Sequence, residues 1–373
     1  MKKKDLFFNH VLGILGSLIA SVLFVISKGI FQIPILNKSI PLWALIVALI
    51  LFLGAFLPAI FYIKTKPKLV FYISSQFPSN PFQASLIQNV IHQFEFQKIH
   101  VVAMFPSKNL DATSQKRWFD SILEHKKHFI GGLVIPAYMG NHKNELRKFV
   151  NSFNKPVLFI DAPPPFEEDE FPGNSAFIGY DNFEGGKLAA KAMCYELNKL
   201  NGSDFKVLII ASNVVSERQI GFKQHLNEIM KHKLSGVDCR EDGQFTRTDG
   251  VKIYENVLRS QESGDLPYKG IFCTNDEMAL GVVSKINDIP QSSKEEVVII
   301  GYDAVADTEV IELIKNSETS LKNSVKQDPD DLASRSVEKL LKMIKGENVK
   351  KSEKLNPILY LKIPEKSKQS QEM

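Results

Sequence analysis

Residues 270–281 read GIFCTNDEMALG, a short apolar run followed by polar residues and the beginning of an amphipathic stretch. The run Gly270–Cys273 has the length and composition of a buried strand, and a helix is predicted over Glu277–Asn287. A strand that leads through a short polar turn into a helix is the repeating unit of a parallel α/β sheet. This stretch therefore predicts an α/β fold.

The same alternation runs through the chain from Leu69 onward. The predicted strands are Leu69–Ile73, Ile99–Met104, Gly132–Pro136, Val157–Asp161, Phe205–Ala211, Gly270–Cys273 and Val297–Gly301. The predicted helices include Gln83–Gln93, Gly185–Leu200, Glu217–Lys231, Thr248–Gln261, Glu277–Asn287 and Pro329–Lys345. Short apolar strands separated by helical stretches are typical of a parallel sheet with crossover helices.

Polar residues stand at the ends of three predicted strands. Asp161 ends one strand, Asn275 lies just beyond another, and Asp303 follows a third. Ligands of open parallel sheets bind beyond the carboxyl ends of the strands, so these residues are candidates for a site. Each has a structural alternative: Asp161 also suits the start of the turn at residues 163–165, and Asn275 suits a helix cap.

Composition excludes several classes of function. The 46 basic and 42 acidic residues leave a net charge of only +4, so no nucleic-acid partner is expected. The three cysteines show no CxxC spacing, which argues against a zinc site or a disulfide framework. The motifs G-x-S-x-G, H-E-x-x-H and G-x-x-x-x-G-K-[ST] do not occur. We therefore expect a protein that is not an enzyme and has no metal or cofactor.

The first 63 residues have a different character. The stretches 6–27 and 42–63 are almost wholly apolar, and each is about the 20 residues that a helix needs to cross a bilayer. Trp43 and Tyr62 suit the two membrane interfaces. The alternative for the first stretch is a signal peptide preceded by Lys2–Lys4, although it is long for one and lacks a clear cleavage site. The sequence predicts an α-helical transmembrane hairpin.

The lysines around these stretches bear on the side of the membrane. Three lysines precede the first stretch and three follow the second, Lys64, Lys66 and Lys68, while the connecting loop carries only two, Lys28 and Lys38. Positive charges accumulate on the cytoplasmic side, so this count places the rest of the chain in the cytoplasm.

Several motifs in a fixed order resemble those of a known family. They are Ser79–Phe82, Val157–Asp161, Ile178–Asn182 with Gly185 and Gly186, Glu217–Phe222, Asn275–Gly281, Ile300–Asp303 and Gln327–Pro329. Over residues 69–363 the chain resembles the type I periplasmic binding proteins of the ribose, galactose and LacI-like group. The resemblance implies two Rossmann-like lobes with parallel sheets joined by three crossovers, and thus the following domains: an anchor at 1–66, a first lobe at 67–180 plus 328–355, a second lobe at 181–327 plus 356–366, and a tail at 367–373.

The resemblance also implies a ligand site. The matching positions are Asn80, Phe82, Asp161, Arg218, Phe245, Asn275, Asp303 and Gln327. Carboxylates, amides and arginine supply the acceptors and donors that vicinal hydroxyls need, and an aromatic ring suits the apolar face of a sugar. The chain departs from the family pattern at Gln83, where an aromatic residue is usual, and at Ala162, where an arginine usually follows the aspartate.

The function implied is a receptor that closes around a sugar-like small molecule and presents it to a membrane permease or sensor protein of an ABC-type transport or sensing system. Relatives of this kind imply a bacterial inner-membrane protein with an extracytoplasmic binding domain, which conflicts with the lysine count. The alternative is a cytosol-facing, membrane-bound ligand sensor that acts through a protein partner.

Overall fold

The computed structural model describes residues 67–363, apart from residues 79, 138–141, 201, 213–214, 261–267, 290–295, 307 and 317, together with residues 47, 50 and 54. The predicted membrane stretches 6–27 and 42–63 lie outside the described residues, except for Val47, Ile50 and Gly54, which are helical. The predicted tail 367–373 lies outside them too. Within the described part of the chain, no helix is both long and apolar enough to cross a membrane.

Twelve strands and nine α-helices alternate along the described residues. The strands are β1 (Lys68–Ile73), β2 (Ile99–Met104), β3 (Phe129–Val134), β4 (Val157–Ile160), β5 (Ser175–Tyr180), β6 (Phe205–Ile210), β7 (Leu234–Arg240), β8 (Gly270–Cys273), β9 (Val298–Asp303), β10 (Leu321–Lys326), β11 (Ser352–Leu355) and β12 (Ile358–Leu359). The helices are α1 (Pro81–Phe96), α2 (Ala112–Glu124), α3 (His142–Phe153), α4 (Asn182–Leu197), α5 (Ser216–Met230), α6 (Arg247–Arg259), α7 (Asp276–Asn287), α8 (Glu309–Lys315) and α9 (Pro329–Lys345).

The strands form two six-stranded sheets, and each sheet is the centre of one lobe. The first sheet has the order β11-β5-β4-β3-β1-β2 and is parallel throughout. The second has the order β12-β10-β9-β8-β6-β7 and is parallel except for the short edge strand β12. Both sheets belong to one compact unit that begins at Lys68. The predicted α/β fold with two parallel-sheet lobes is confirmed.

Helices cover both faces of each sheet, which explains the composition of the central strands. All six residues of β5 and all six of β9 are buried. Each lobe has two apolar clusters, one with Val70 and Leu158 and another with Phe71 and Phe159 in the first lobe. Neighbouring strand residues point to opposite faces of a sheet, so a strand that is buried on both faces must be a continuous apolar run.

The chain passes between the two sheets three times: after β5, after β10 and after β11. Hydrogen bonds tie these passes together. The hydroxyl of Tyr180 accepts from the backbone N–H of Asp328 at 2.9 Å and donates to its carbonyl at 3.2 Å. The N–H of Asp181 donates to the carbonyl of Leu355 at 2.9 Å. The first pass is therefore bonded to both of the others.

Candidate functional site

Residues from both lobes line a small cavity at the carboxyl ends of the strands. The lining residues are Ser75, Gln76, Asn80, Phe82, Gln83, Leu110, Asp161, Ala162, Asn182, Val215, Arg218, Phe245, Asn275 and Asp303. They include every residue of the predicted site except Gln327, which contacts the cavity through Arg218. Seven of the eight predicted site residues therefore lie around one cavity in the structure.

A second cavity shares three of these lining residues, Asn80, Phe82 and Asp303. The first cavity has a volume of about 30 Å³ and the second about 220 Å³. Together they fall just below the roughly 300 Å³ at which the usual range of small-molecule pockets begins. Their size suits a ligand no larger than a monosaccharide.

Arg218 is the most completely bonded side chain of the site. Its Nε donates to Oδ1 of Asn182 at 2.8 Å, and its two terminal nitrogens donate to the carbonyl of Thr274 at 2.7 Å and to Oε1 of Gln327 at 3.2 Å. One terminal nitrogen also lies 3.6 Å from Oδ1 of Asp303. A planar guanidinium with this many fixed partners is held in one orientation.

The ring of Tyr302 lies beneath the guanidinium, with 3.8 Å between the Arg218 Cζ and the ring centroid. This distance places the charge on the negative face of the ring, a favourable cation–π contact. A Cβ atom at Gly185 would lie 2.0 Å from the Tyr302 hydroxyl. Gly185, which belongs to one of the family-like motifs, is therefore needed for close approach to the residue that supports Arg218.

Two buried carboxyl groups, Asp303 and Asp276, lie on the same side of the site. Asp276 accepts from the backbone N–H of Ala304 and from Oγ of Ser324, both at 2.7 Å. Burial raises the pKa of Asp276 to about 6 and holds that of Asp303 well above its ordinary value, although the Arg218 charge opposes the shift at Asp303. Each of these buried carboxyl groups, when ionised, favours a cation or a strong donor nearby.

On the first lobe, Asp161 lies at the end of β4 and is partly buried. Its Oδ2 accepts from Nε2 of Gln83 at 2.8 Å, so the partner of this carboxylate is a neutral amide. Burial raises the pKa of Asp161, while Arg218 and the Gln83 hydrogen bond oppose the shift. Gln83 was identified in the sequence as a departure from the family pattern, and the structure gives it a direct contact with a predicted ligand residue.

The amides of Asn275 and Asn80 are used in part by the protein itself. Asn275 caps α7 through a hydrogen bond from the N–H of Met278 to its Oδ1, and its Nδ2 donates to the carbonyl of Phe245. Oδ1 of Asn80 accepts from the N–H of Phe82. The capping alternative for Asn275 is thus observed. Its role as a ligand residue remains a prediction, and its contact holds the Phe245 loop in place.

Backbone strain is concentrated around the first cavity. Leu110, Asp161, Phe245 and Asp303 all line it, and their φ angles are 61°, 65°, 63° and 125°. Residues other than glycine reach such angles at a cost of about 1–3 kcal/mol each. Strained residues of this kind cluster at ligand sites, where the surrounding structure holds side chains in positions that a relaxed backbone would not give.

Asn182 and Tyr302 orient Arg218, and neither residue was predicted to have a role in the site. Both belong to quoted motifs, Ile178–Asn182 and Ile300–Asp303, and this was the only signal available. Within the described part of the chain, no cluster of three histidine, cysteine or carboxylate side chains could hold a metal ion.

Comparison with known proteins then gives the family. A family model described as "Periplasmic binding protein domain" matches residues 71–348, about three quarters of the chain. The chain belongs to this family. The matched region includes all eight predicted site positions and most of the strands and helices of both lobes.

Individual members of the periplasmic binding protein family have low sequence identity to this chain. A ribose import binding protein of Haemophilus influenzae is 31% identical over 176 residues, which cover 46% of this chain and 53% of that protein. The chain thus matches about half the length of this relative. A ribose import binding protein of Bacillus subtilis is 25% identical over 276 residues, which cover 74% of this chain and 81% of that protein.

Solved structures show the same fold. A solute-binding protein of Agrobacterium radiobacter in complex with D-arabinose is 19% identical, with a TM-score of 0.67 over 80% of this chain and 95% of that one. A solute-binding protein of Actinobacillus succinogenes with bound D-allose is 18% identical, with a TM-score of 0.65 over 78% and 96%. At these identities the likeness concerns the two-lobed fold of the family.

Proposed function

We propose that this protein binds a sugar or a related polyhydroxylated small molecule in the cleft between its lobes. The observation that carries the proposal is the cavity at the carboxyl ends of both sheets, where an oriented arginine, buried carboxylates and two phenylalanines meet. Hydroxyl groups both donate and accept, so they match this combination of groups. The names and bound ligands of the relatives, ribose, D-arabinose and D-allose, support the same ligand class.

Binding would work by closure of the two lobes. Asp161 and Gln83 belong to the first lobe and Arg218 and Asp303 to the second, so a ligand that contacts all four is held only when the lobes are together. Its higher affinity for the closed form shifts the equilibrium between open and closed forms. The proposed lobe boundaries, after residues 180, 327 and 355, put the three passes at the hinge.

The partner proposed for the closed form is the permease or sensor protein of an ABC-type transport or sensing system. We further propose that residues 6–27 and 42–63 span the bacterial inner membrane and tether the binding domain on its outer side. A tether raises the effective concentration of the domain near a membrane partner without any added contact. The relatives named as import binding proteins support this role.

The lysine count favours a second candidate, a membrane-bound sensor whose binding domain faces the cytosol. Fusions of alkaline phosphatase and of a fluorescent protein to residue 373 distinguish the two. Phosphatase activity is expected for the first candidate. Cytosolic fluorescence together with an inactive phosphatase fusion would contradict the outer location and favour the sensor.

The ligand class is tested by thermal-shift screening of the full-length protein in detergent against pentoses, hexoses, inositols and nucleosides. At least one polyhydroxylated compound is expected to raise the midpoint of unfolding, because a ligand that binds only the folded state stabilises it by mass action. The same compound should fail to stabilise an Asp303→Ala variant. If no compound of these classes stabilises the protein at millimolar concentration, the proposed function is wrong.

A further inference from the structure

The two adjoining cavities are lined by more acidic than basic side chains. Their described lining residues include five carboxylates, Asp161, Asp276, Glu277, Asp303 and Glu309, and two arginines, Arg218 and Arg247. A neutral sugar leaves this imbalance as it is. Uncompensated charge in a partly desolvated site costs free energy, so the site favours a ligand that brings positive charge.

The two arginines are already engaged on the second lobe. Arg247 pairs with Glu309 at 2.7 Å and with Glu277 at 3.4 Å. Arg218 lies 3.6 Å from Asp303 and spends its donors on neutral partners of the same lobe. The carboxylate that faces the cavity from the first lobe, Asp161, is the one whose hydrogen-bond partner is the neutral Gln83.

The corner around Asp161 also contains an acceptor that lacks a donor. Gln83 is 3% exposed, and its Oε1 has no hydrogen-bond partner among the residues that the structure describes. The orientation of this amide follows from chemistry, since its nitrogen, and not its oxygen, must face the carboxylate. A buried acceptor without a partner costs about as much as a lost hydrogen bond, and here it lies beside a negative charge.

The residue beside Asp161 in the same corner is small. Ala162 follows Asp161 in the chain and lines the cavity with a single methyl group. At this position the resemblance leads one to expect an arginine, whose positive charge would neutralise Asp161. A compact ammonium has three donors and one positive charge, so it can pair with Asp161 and, if the buried Gln83 side chain turns towards it, donate to Oε1 of Gln83 as well.

From this geometry we propose that the ligand is an aminated sugar or an aminated cyclitol, whose ammonium group binds between Asp161 and Gln83 while its hydroxyl groups face Arg218 and Asp303. This inference rests on the proposed function and narrows its ligand class. The ligand supplies the charge that a side chain at position 162 does not.

The pH dependence of binding follows from the groups that face Asp161, namely Tyr72, Gln83, Arg218 and Asp303. Burial raises the pKa of the Tyr72 hydroxyl, which stays neutral, and it also raises the pKa values of Asp161 and Asp303. Protonation of these carboxyls removes the charge that attracts an ammonium. Affinity for an amine should therefore fall as the pH is lowered from about 7.5 to about 5, more steeply than affinity for a neutral sugar.

The direct test compares matched probes by isothermal titration calorimetry of the full-length protein. Each set contains an amine, its neutral parent and its N-acetyl derivative: D-glucosamine with D-glucose and N-acetyl-D-glucosamine, the corresponding galactose set, and an aminocyclitol with myo-inositol. In at least one set the amine should bind roughly ten- to a hundredfold more tightly than both neutral members, the value of one charge-assisted hydrogen bond.

Three variants locate the effect. Asp161→Asn keeps the shape of the side chain and should reduce the preference for the amine over its parent by at least roughly tenfold. Ala162→Arg adds the missing charge and should reverse the preference in favour of the neutral parent. Asp169→Asn removes an exposed carboxylate that does not line the cavity and should leave the preference unchanged.

The outcomes separate the two proposals. If neutral sugars bind as tightly as their amines, the ammonium proposal is wrong and the proposed function stands. An undiminished preference in Asp161→Asn would also overturn the ammonium proposal, because it would place the amine elsewhere. If neither amines nor neutral sugars bind, both proposals fail.

Discussion

The two halves of the site are built differently. On the second lobe, Arg218 is fixed by Asn182, Thr274 and Gln327, and the Asp303 carboxylate lies beside it. On the first lobe, Asp161 has a neutral amide partner whose own oxygen lacks a donor. The second half is organised before any ligand arrives, whereas the first half depends on the ligand for its last donor. We therefore expect the first lobe to determine which ligand binds and the second lobe to supply most of the affinity.

The largest expected effect comes from breaking the second half at Arg218. Arg218→Ala should abolish ligand-induced stabilisation and lower the free energy of unfolding by about 3–5 kcal/mol, because it leaves Asp303 as an unpaired buried charge. Arg218→Lys keeps the charge but loses the planar geometry, so it should retain stability better than it retains affinity. Urea denaturation and calorimetry measure the two quantities. Full ligand-induced stabilisation in Arg218→Ala would show that the site is wrongly assigned.

An intermediate effect concerns the pH dependence of the ligand-free protein. The raised pKa of Asp161 means that the folded state holds this proton more tightly than the unfolded state, whose pKa is near the ordinary value of 3.8. This contribution to stability is present below the unfolded pKa and is lost as the pH rises through the folded pKa. In the Asp161→Asn variant, this loss of stability with rising pH should be absent.

The measurement compares the free energy of unfolding of wild type and Asp161→Asn at about pH 5 and about pH 7.5. The variant should gain stability over the wild type as the pH rises. Asp169→Asn, at an exposed carboxylate, serves as the control and should follow the wild type. An Asp161→Asn curve parallel to that of the wild type would mean that Asp161 is not held in an unfavourable charged state.

The smallest expected effect compares the aromatic residues of the two halves. Phe245→Leu and Phe82→Leu each keep an apolar side chain but remove the ring face, which is worth about 0.5–1.5 kcal/mol beyond the buried area. Affinity should fall by roughly two- to tenfold in each variant. The loss should be larger at Phe245, since Asn275 holds its backbone, and equal losses would count against the difference between the halves.

Much of the fold could be predicted from the sequence because its central strands are buried on both faces. Predicted strands such as Ile99–Met104 and Gly270–Cys273 coincide with β2 and β8. The predicted strands left out β5, β7, β10, β11 and β12. The strand β5 was missed although all six of its residues are buried. The strand β7 is partly exposed along its length, and β10 contains polar residues such as Asn323 and Ser324. Those two side chains are buried through hydrogen bonds to distant groups, which no local pattern shows.

The site could be predicted where the role of a residue follows from its place at the end of a strand, as for Asp161 and Asp303. It was not predictable where the role depends on a contact between distant segments. Gln83 and Asp161 are 78 residues apart, and Arg218 and Asn182 are 36 apart. Sequence motifs identified the segments, but only the packing of α1 against the end of β4 and of α5 against α4 shows which side chains meet.

The hydrogen bonds among the three passes have a consequence for how such a protein can change its specificity. Tyr180 joins the first pass to the second, and Asp181 joins the first to the third. Because these bonds link the passes, we expect the three passes to move together if the lobes rotate. The response to a ligand is then the same movement whatever chemistry the first lobe presents. Under the proposed function, substitutions at positions 83 and 162 would change the ligand and leave the movement presented to a partner unaltered.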